Sequence, residues 1–144
     1  MRGASLTRRV RFTATHRYWR PEWDDARNRA VFGACAVPEP HGHDYLCDVT
    51  VGGALDPQTG MVLDLAVLDA ILNKEIVDPL HGRSLNDAVP EFKPGGLIPT
   101  CEELARLIAA RVGRALEKRS AKALVQSVRV AEDDTLSATW IERG

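Results

Sequence analysis

His41-Gly42-His43-Asp44-Tyr45-Leu46-Cys47-Asp48-Val49-Thr50-Val51-Gly52 is the stretch whose alternation decides the fold. His41, His43, Tyr45, Cys47, Val49 and Val51 share one side and Asp44, Leu46, Asp48 and Thr50 the other, which is the period of a half-buried strand. Upstream, Val10, Phe12, Ala14 and His16 alternate with Arg11, Thr13 and Thr15, so a second strand carries His16 on its apolar face. Downstream of the turn residues 53–60, Leu65, Leu68, Ile71, Leu72 and Ile76 recur at helical spacing, and Pro79 marks the expected end of that helix. Thr100 with Glu103 forms a capping box, after which Leu104, Leu107, Ile108 and Val112 make the apolar stripe of a second helix. Alternation returns in Val125, Ser127, Arg129 and Ala131 against Gln126, Val128, Val130 and Glu132, and again over residues 136–141. The order strand, strand, helix, helix, strand, strand predicts an α+β domain, an antiparallel four-stranded sheet with two helices on one face. Residues 18–40 read as a long active-site loop, and residues 81–99, with three prolines and three glycines, as a second irregular segment.

At 144 residues and 44% hydrophobic content the chain suits one domain spanning 1–144, with one core and one site. Nineteen Lys and Arg against 20 Asp and Glu leave a formal charge of −1, which is not the footprint of a nucleic-acid binder. Neither a signal peptide nor a membrane span is visible, so a soluble cytoplasmic protein is expected. Cys35, Cys47 and Cys101 are odd in number and scattered, which favours reduced thiols over a disulfide framework.

Histidines at i and i+2 of a strand lie about 7 Å apart along one face, near enough to converge on one metal ion. His16, from the other strand, can supply a third ligand. Three neutral nitrogens leave one tetrahedral position open, as at a catalytic zinc, whereas Cys35 as a fourth ligand would close the site and make it structural. Spacing leaves both arrangements open, and any one of these histidines alone reads as an ordinary polar or core residue.

Phe12-Thr13-Ala14-Thr15-His16-Arg17, Phe32-Gly33-Ala34-Cys35 and His41-Gly42-His43-Asp44-Tyr45 together resemble the family of 6-pyruvoyltetrahydropterin and 6-carboxytetrahydropterin synthases. The resemblance continues through Thr59-Gly60-Met61-Val62-Leu63-Asp64, Pro99-Thr100-Cys101-Glu102 and Val128-Arg129-Val130-Ala131-Glu132. It implies the tunnelling fold, whose units assemble into barrels, commonly a homohexamer of two trimers with active sites between subunits. It also implies zinc (Zn2+) on His16, His41 and His43, and a pterin ring anchored by Glu132, with Thr100 and Glu102 near it. Read from the residues alone, Glu132 is a solvent-facing charge at a strand end.

The resemblance further implies the chemistry of a lyase acting on 7,8-dihydroneopterin triphosphate. Side-chain oxygens of that substrate bind the metal, and Cys35 takes the protons made acidic by it. Cys101, in a helix's first turn, is a second thiol whose pKa the helix dipole is expected to lower. His41 lies six positions after Cys35, a spacing that resembles the pyruvoyl-forming enzymes of tetrahydrobiopterin synthesis more than the carboxy-forming enzymes of deazaguanine (queuosine) synthesis. One departure stands out. Where the family carries Leu-Asp-His, this chain has Leu80-His81-Gly82, so the aspartate is missing and His81 is the remaining candidate for the proton-shuttling histidine. Loss of that pair leaves a third reading, a pterin-binding member with impaired turnover.

Overall fold

The computed structural model describes residues 3–39 and 41–143. Strands β1 (Gly3–His16) and β2 (His41–Ala54) pair antiparallel along their full length, from Gly3 opposite Ala54 to His16 opposite His41. Their register sets His43 beside Ala14, so three histidines reach one end of one hairpin. β3 (Arg83–Ser84) is a two-residue strand running parallel to β1 at Ala14 and Thr15. β4 (Leu124–Ala131) pairs with β2, and β5 (Ser137–Ile141) with β4, giving a five-stranded sheet in the order β3-β1-β2-β4-β5. The extra strand departs from the expected four because two residues are too short to alternate. A glycine places it: Gly82 has φ +74° and donates its N–H to the Thr13 carbonyl at 2.7 Å.

Two segments expected to be irregular contain short helices. Within residues 18–39, α1 (Asp25–Phe32) is capped by Asp24, whose carboxylate accepts from Arg27 N–H at 2.8 Å, and a 3₁₀ turn (Gly33–Ala36) comes next; Pro40, the end of the expected loop, lies outside the described residues. Only Asn28 of α1 is buried, and its amide both accepts from Arg20 N–H at 2.7 Å and donates to Arg20 O at 3.0 Å. A polar pin of this kind leaves no apolar stripe for periodicity to detect. α2 (Leu65–Leu72) continues through a π turn (Asn73–Val77) into α3 (Asp78–Leu80), so the helical run ends one residue after Pro79, close to the expected end. The wide turn accommodates the proline, because Asp78 N–H reaches back to Asn73 O and the proline falls in the first turn of α3, where it is tolerated. Residues 81–99 also hold α4 (Leu85–Ala88) and a 3₁₀ turn (Pro90–Phe92). α5 (Cys101–Lys118) begins as expected: Thr100 Oγ1 accepts from Glu103 N–H at 3.1 Å. Glu103 does not complete the box, because its carboxylate pairs with Arg106 at 3.0 Å.

The core lies between the helices and one sheet face, where Cys47, Val49, Val51, Val128 and Val130 meet Leu68, Ile71, Ile76, Leu104, Ile108 and Val112. Simple alternation puts Val125 opposite Val128 and Val130, yet all three are buried. The register shifts between Thr50, which faces Ser127, and Val51, which faces Val125, so a bulge at Gln126 rotates Val125 into the core. The other sheet face is polar, with Thr7 bonded to Thr50 at 2.7 Å and Arg9 to Asp48 at 2.7 Å. Truncating a side chain in the middle of this core leaves a cavity. Ile108→Ala, at a position 1% exposed, is expected to cost about 2–5 kcal/mol, read as a lower denaturant midpoint at unchanged m-value. Among the described residues no helix is long and apolar enough to cross a membrane.

Candidate active site

Antiparallel pairing brings the last residue of β1, His16, and the first residues of β2, His41 and His43, to the same end of the sheet. His16 is fully buried; its ring centroid lies 4.8 Å from that of His43 and 6.3 Å from that of His41, with 6.5 Å between the two β2 histidines. Glu132 comes directly after the last residue of β4 and is held by its own N–H, which donates to Leu136 O at 3.1 Å. This glutamate is 7% exposed, not the solvent-facing charge its position suggests. One carboxylate oxygen lies 3.0 Å from His43 Nε2, and the other accepts from the Cys101 thiol at 3.4 Å.

His16, His43 and Glu132 each offer a ligand atom, and these atoms lie within 4.8 Å of one another, a spacing that suits a metal ion. His41 stands beside this group instead of within it, its Nε2 engaged with the Ala34 carbonyl. The structure thus joins two of the three expected metal ligands to the expected pterin anchor and leaves the third outside the group, with its ring centroid 6.3 Å from that of His16. Burial, reinforced by His43 and His41, lowers the His16 pKa to about 4. Its imidazole is therefore neutral near pH 7, the form that ligates metals.

Cys35, in the 3₁₀ turn after α1, is half-buried with its sulfur 3.9 Å from His16 Nε2. Tyr18 N–H donates to Cys35 O at 2.8 Å and ties this turn to the chain leaving β1. Burial, then the Glu132 charge, raises the Cys35 pKa, so the protein's own groups do not make it a thiolate. Cys101 corrects an expectation: instead of being lowered by the α5 dipole, its pKa is pushed up to about 12, by burial first and by Glu132 second. Cys47 is pushed up to about 12 by burial in the core. Thr100 and Glu102 flank Cys101 at the start of α5; the Thr100 hydroxyl serves as the helix cap, Glu102 is exposed, and it is Cys101 between them that bonds the Glu132 carboxylate.

His81 sits elsewhere. It is exposed at the end of α3, its Nδ1 accepting from Thr13 N–H at 3.1 Å, and its hydrogen bonds do not run to Cys35 within the chain. Two further residues belong to the site that sequence reasoning did not single out. Tyr45 places its hydroxyl 2.8 Å from His16 Nδ1, and Tyr18 stacks on the His16 ring at 4.7 Å. Tyr45 had a legible signal, since it shares the alternating face with His41 and His43; Tyr18, inside an aperiodic segment, had none.

Comparison with known proteins identifies the family. The family model described as 6-pyruvoyl tetrahydropterin synthase matches residues 5–142. The human 6-pyruvoyl tetrahydrobiopterin synthase is 39% identical over 102 residues, covering 71% of this chain and 69% of the human protein. The enzyme of that name from Poecilia reticulata is 36% identical over 129 residues, covering 90% of this chain and 84% of its own length. The solved structure of Caenorhabditis elegans 6-pyruvoyl tetrahydropterin synthase superposes with a TM-score of 0.88 at 28% identity, covering 99% of this chain and 98% of that one. The α+β architecture is accordingly the tunnelling fold of that structure. A match across sequence and fold, running nearly the length of the chain, means that the chain belongs to the 6-pyruvoyl tetrahydropterin synthase family and is a lyase of that type.

Proposed function

We propose that the chain is a zinc-dependent lyase that converts 7,8-dihydroneopterin triphosphate to 6-pyruvoyltetrahydropterin with release of triphosphate. The observation that carries this reading is the convergence of His16, His43, Glu132 and Cys35 at one end of the β1–β2 hairpin. The donor set suits zinc: His16 is buried and neutral, and His43 and His41 face the same space from one strand. His16, His41 and His43 would hold the ion, which when bound acidifies the C–H and O–H groups of the substrate side chain and favours the Cys35 thiolate that the protein alone does not. Cys35 then takes the proton. Glu132 orients the pterin by accepting from its amino and ring N–H groups, a bidentate recognition that a neutral side chain would not match. Thr100 and Glu102 border that end of the ring.

His81 serves as the proton-shuttling partner of Cys35 from another copy of the chain, so the reading includes an oligomer with sites between subunits, of which the family resemblance implies a homohexamer; the location that goes with the reading is the cytoplasm. Sedimentation checks the assembly: active protein that is strictly monomeric removes the shared site. Incubating zinc-loaded protein with dihydroneopterin triphosphate tests the chemistry, the expected result being stoichiometric triphosphate and a product of the pyruvoyl mass. The six-residue interval from Cys35 to His41 favours that product over 6-carboxytetrahydropterin, which would appear as a lighter pterin with a released two-carbon fragment. Binding without turnover would instead assign the chain to the impaired, pterin-binding reading.

A further inference from the structure

His16 offers two nitrogens to two different environments. Nε2 looks toward the Cys35 sulfur at 3.9 Å and thus into the site, whereas Nδ1 points inward and lies 2.8 Å from the Tyr45 hydroxyl. A histidine that ligates through Nε2 must carry its proton on Nδ1, and in a fully buried ring that N–H needs an acceptor. The Tyr45 oxygen is the hydrogen-bond partner at that atom.

We propose that Tyr45 is a positioning residue for the metal centre, its hydroxyl accepting from His16 Nδ1–H so that Nε2 presents its lone pair to the metal. The inference rests on the reading of His16 as a metal ligand. Tyr45 is built to hold the oxygen still: it is 1% exposed, and its ring stacks on Phe12 with centroids 5.0 Å apart and planes 8° from parallel. Phe12 lies directly opposite Tyr45 in the β1–β2 ladder, and His16 closes the same face of β1. One strand face therefore supplies the ligand His43 and, two residues on, the group that orients the ligand of its neighbour. Were the hydroxyl to donate to Nδ1 instead, the proton would move to Nε2 and that nitrogen could not bind a metal.

Tyr45→Phe keeps the ring stack and removes only the oxygen. It is expected to weaken zinc affinity about 10- to 100-fold in competition with a chromophoric chelator, in line with loss of an outer-shell partner of a ligating histidine. Native affinity in Tyr45→Phe, alongside loss of zinc in His16→Ala, would overturn the role of Tyr45 and leave the metal reading standing. Full zinc retention in His16→Ala would defeat the metal reading itself. A second measurement needs no variant: nitrogen NMR of the zinc-loaded native protein should show His16 protonated at Nδ1 and metal-shifted at Nε2. An unprotonated Nδ1 overturns the proposal whatever the variant does.

Discussion

His43→Ala is expected to remove stoichiometric zinc and with it nearly all turnover. Loss of a ligand should weaken metal binding by more than the about 10- to 100-fold that loss of an outer-shell partner costs. The same substitution also strips Glu132 of the imidazole 3.0 Å away, so pterin affinity is expected to change together with metal content. Two companion variants decide which third residue completes the set. Among the described residues the metal-suited group is His16, His43 and Glu132, whereas the family resemblance assigns His16, His41 and His43. If the resemblance is right, His41→Ala loses zinc, and Glu132→Gln keeps it while binding pterin more weakly. The opposite pattern, zinc retained in His41→Ala and lost in Glu132→Gln, makes Glu132 a ligand and moves the pterin anchor elsewhere. Metal analysis after dialysis, with circular dichroism to verify folding, reads all three variants, and zinc at native stoichiometry in His43→Ala would sink the assignment.

The histidines were legible and other parts of the site were not because different kinds of interaction hold them. His41, His43 and His16 sit on strands whose period of 2 fixes their side, and full pairing of β1 with β2 brings that side to one end of the sheet, where His16 and His43 meet and His41 stands beside them. The helices α2 and α5 were legible for a similar reason, since each carries an apolar stripe at helical spacing. Where polar contacts do the holding, periodicity is blind. α1 is fixed by the Asp24 cap and the Asn28 amide, and β3 by one glycine and one histidine nitrogen bonded to Thr13. Long-range neighbours were equally hidden. Glu132 looks solvent-facing along β4, yet the start of α5 and the start of β2 close over it, so Cys101 and His43 claim its two oxygens. The same closure reverses the expected effect on Cys101, since burial beside a carboxylate outweighs a helix dipole whose influence is confined to one turn.

Removal of the base should be the other large effect. Cys35→Ala is expected to lower turnover about 10²- to 10⁴-fold, the range a positioned general base contributes, while zinc content and pterin affinity stay near native. Cys35 is suited to this role by place: its sulfur lies 3.9 Å from His16 Nε2, whereas Cys47 is sealed in the core and Cys101 is bonded to Glu132. Alanine at Cys47 is therefore expected to affect stability more than turnover, and alanine at Cys101 to affect pterin binding more than turnover. His81→Ala should lose turnover to a smaller degree than Cys35→Ala, because an imidazole without the family's aspartate has no carboxylate to fix its tautomer. Within one chain His81 is tied to Thr13, and the proposed cooperation with Cys35 is one between subunits. Mixing tests this directly. Cys35→Ala and His81→Ala proteins, unfolded and refolded together, should regain activity above the average of the two alone, since some sites then combine an intact Cys35 from one copy with an intact His81 from another. Co-refolded protein no more active than that average assigns both residues to one chain or removes His81 from the reaction, and Cys35→Ala turning over at the native rate ends the proposed mechanism.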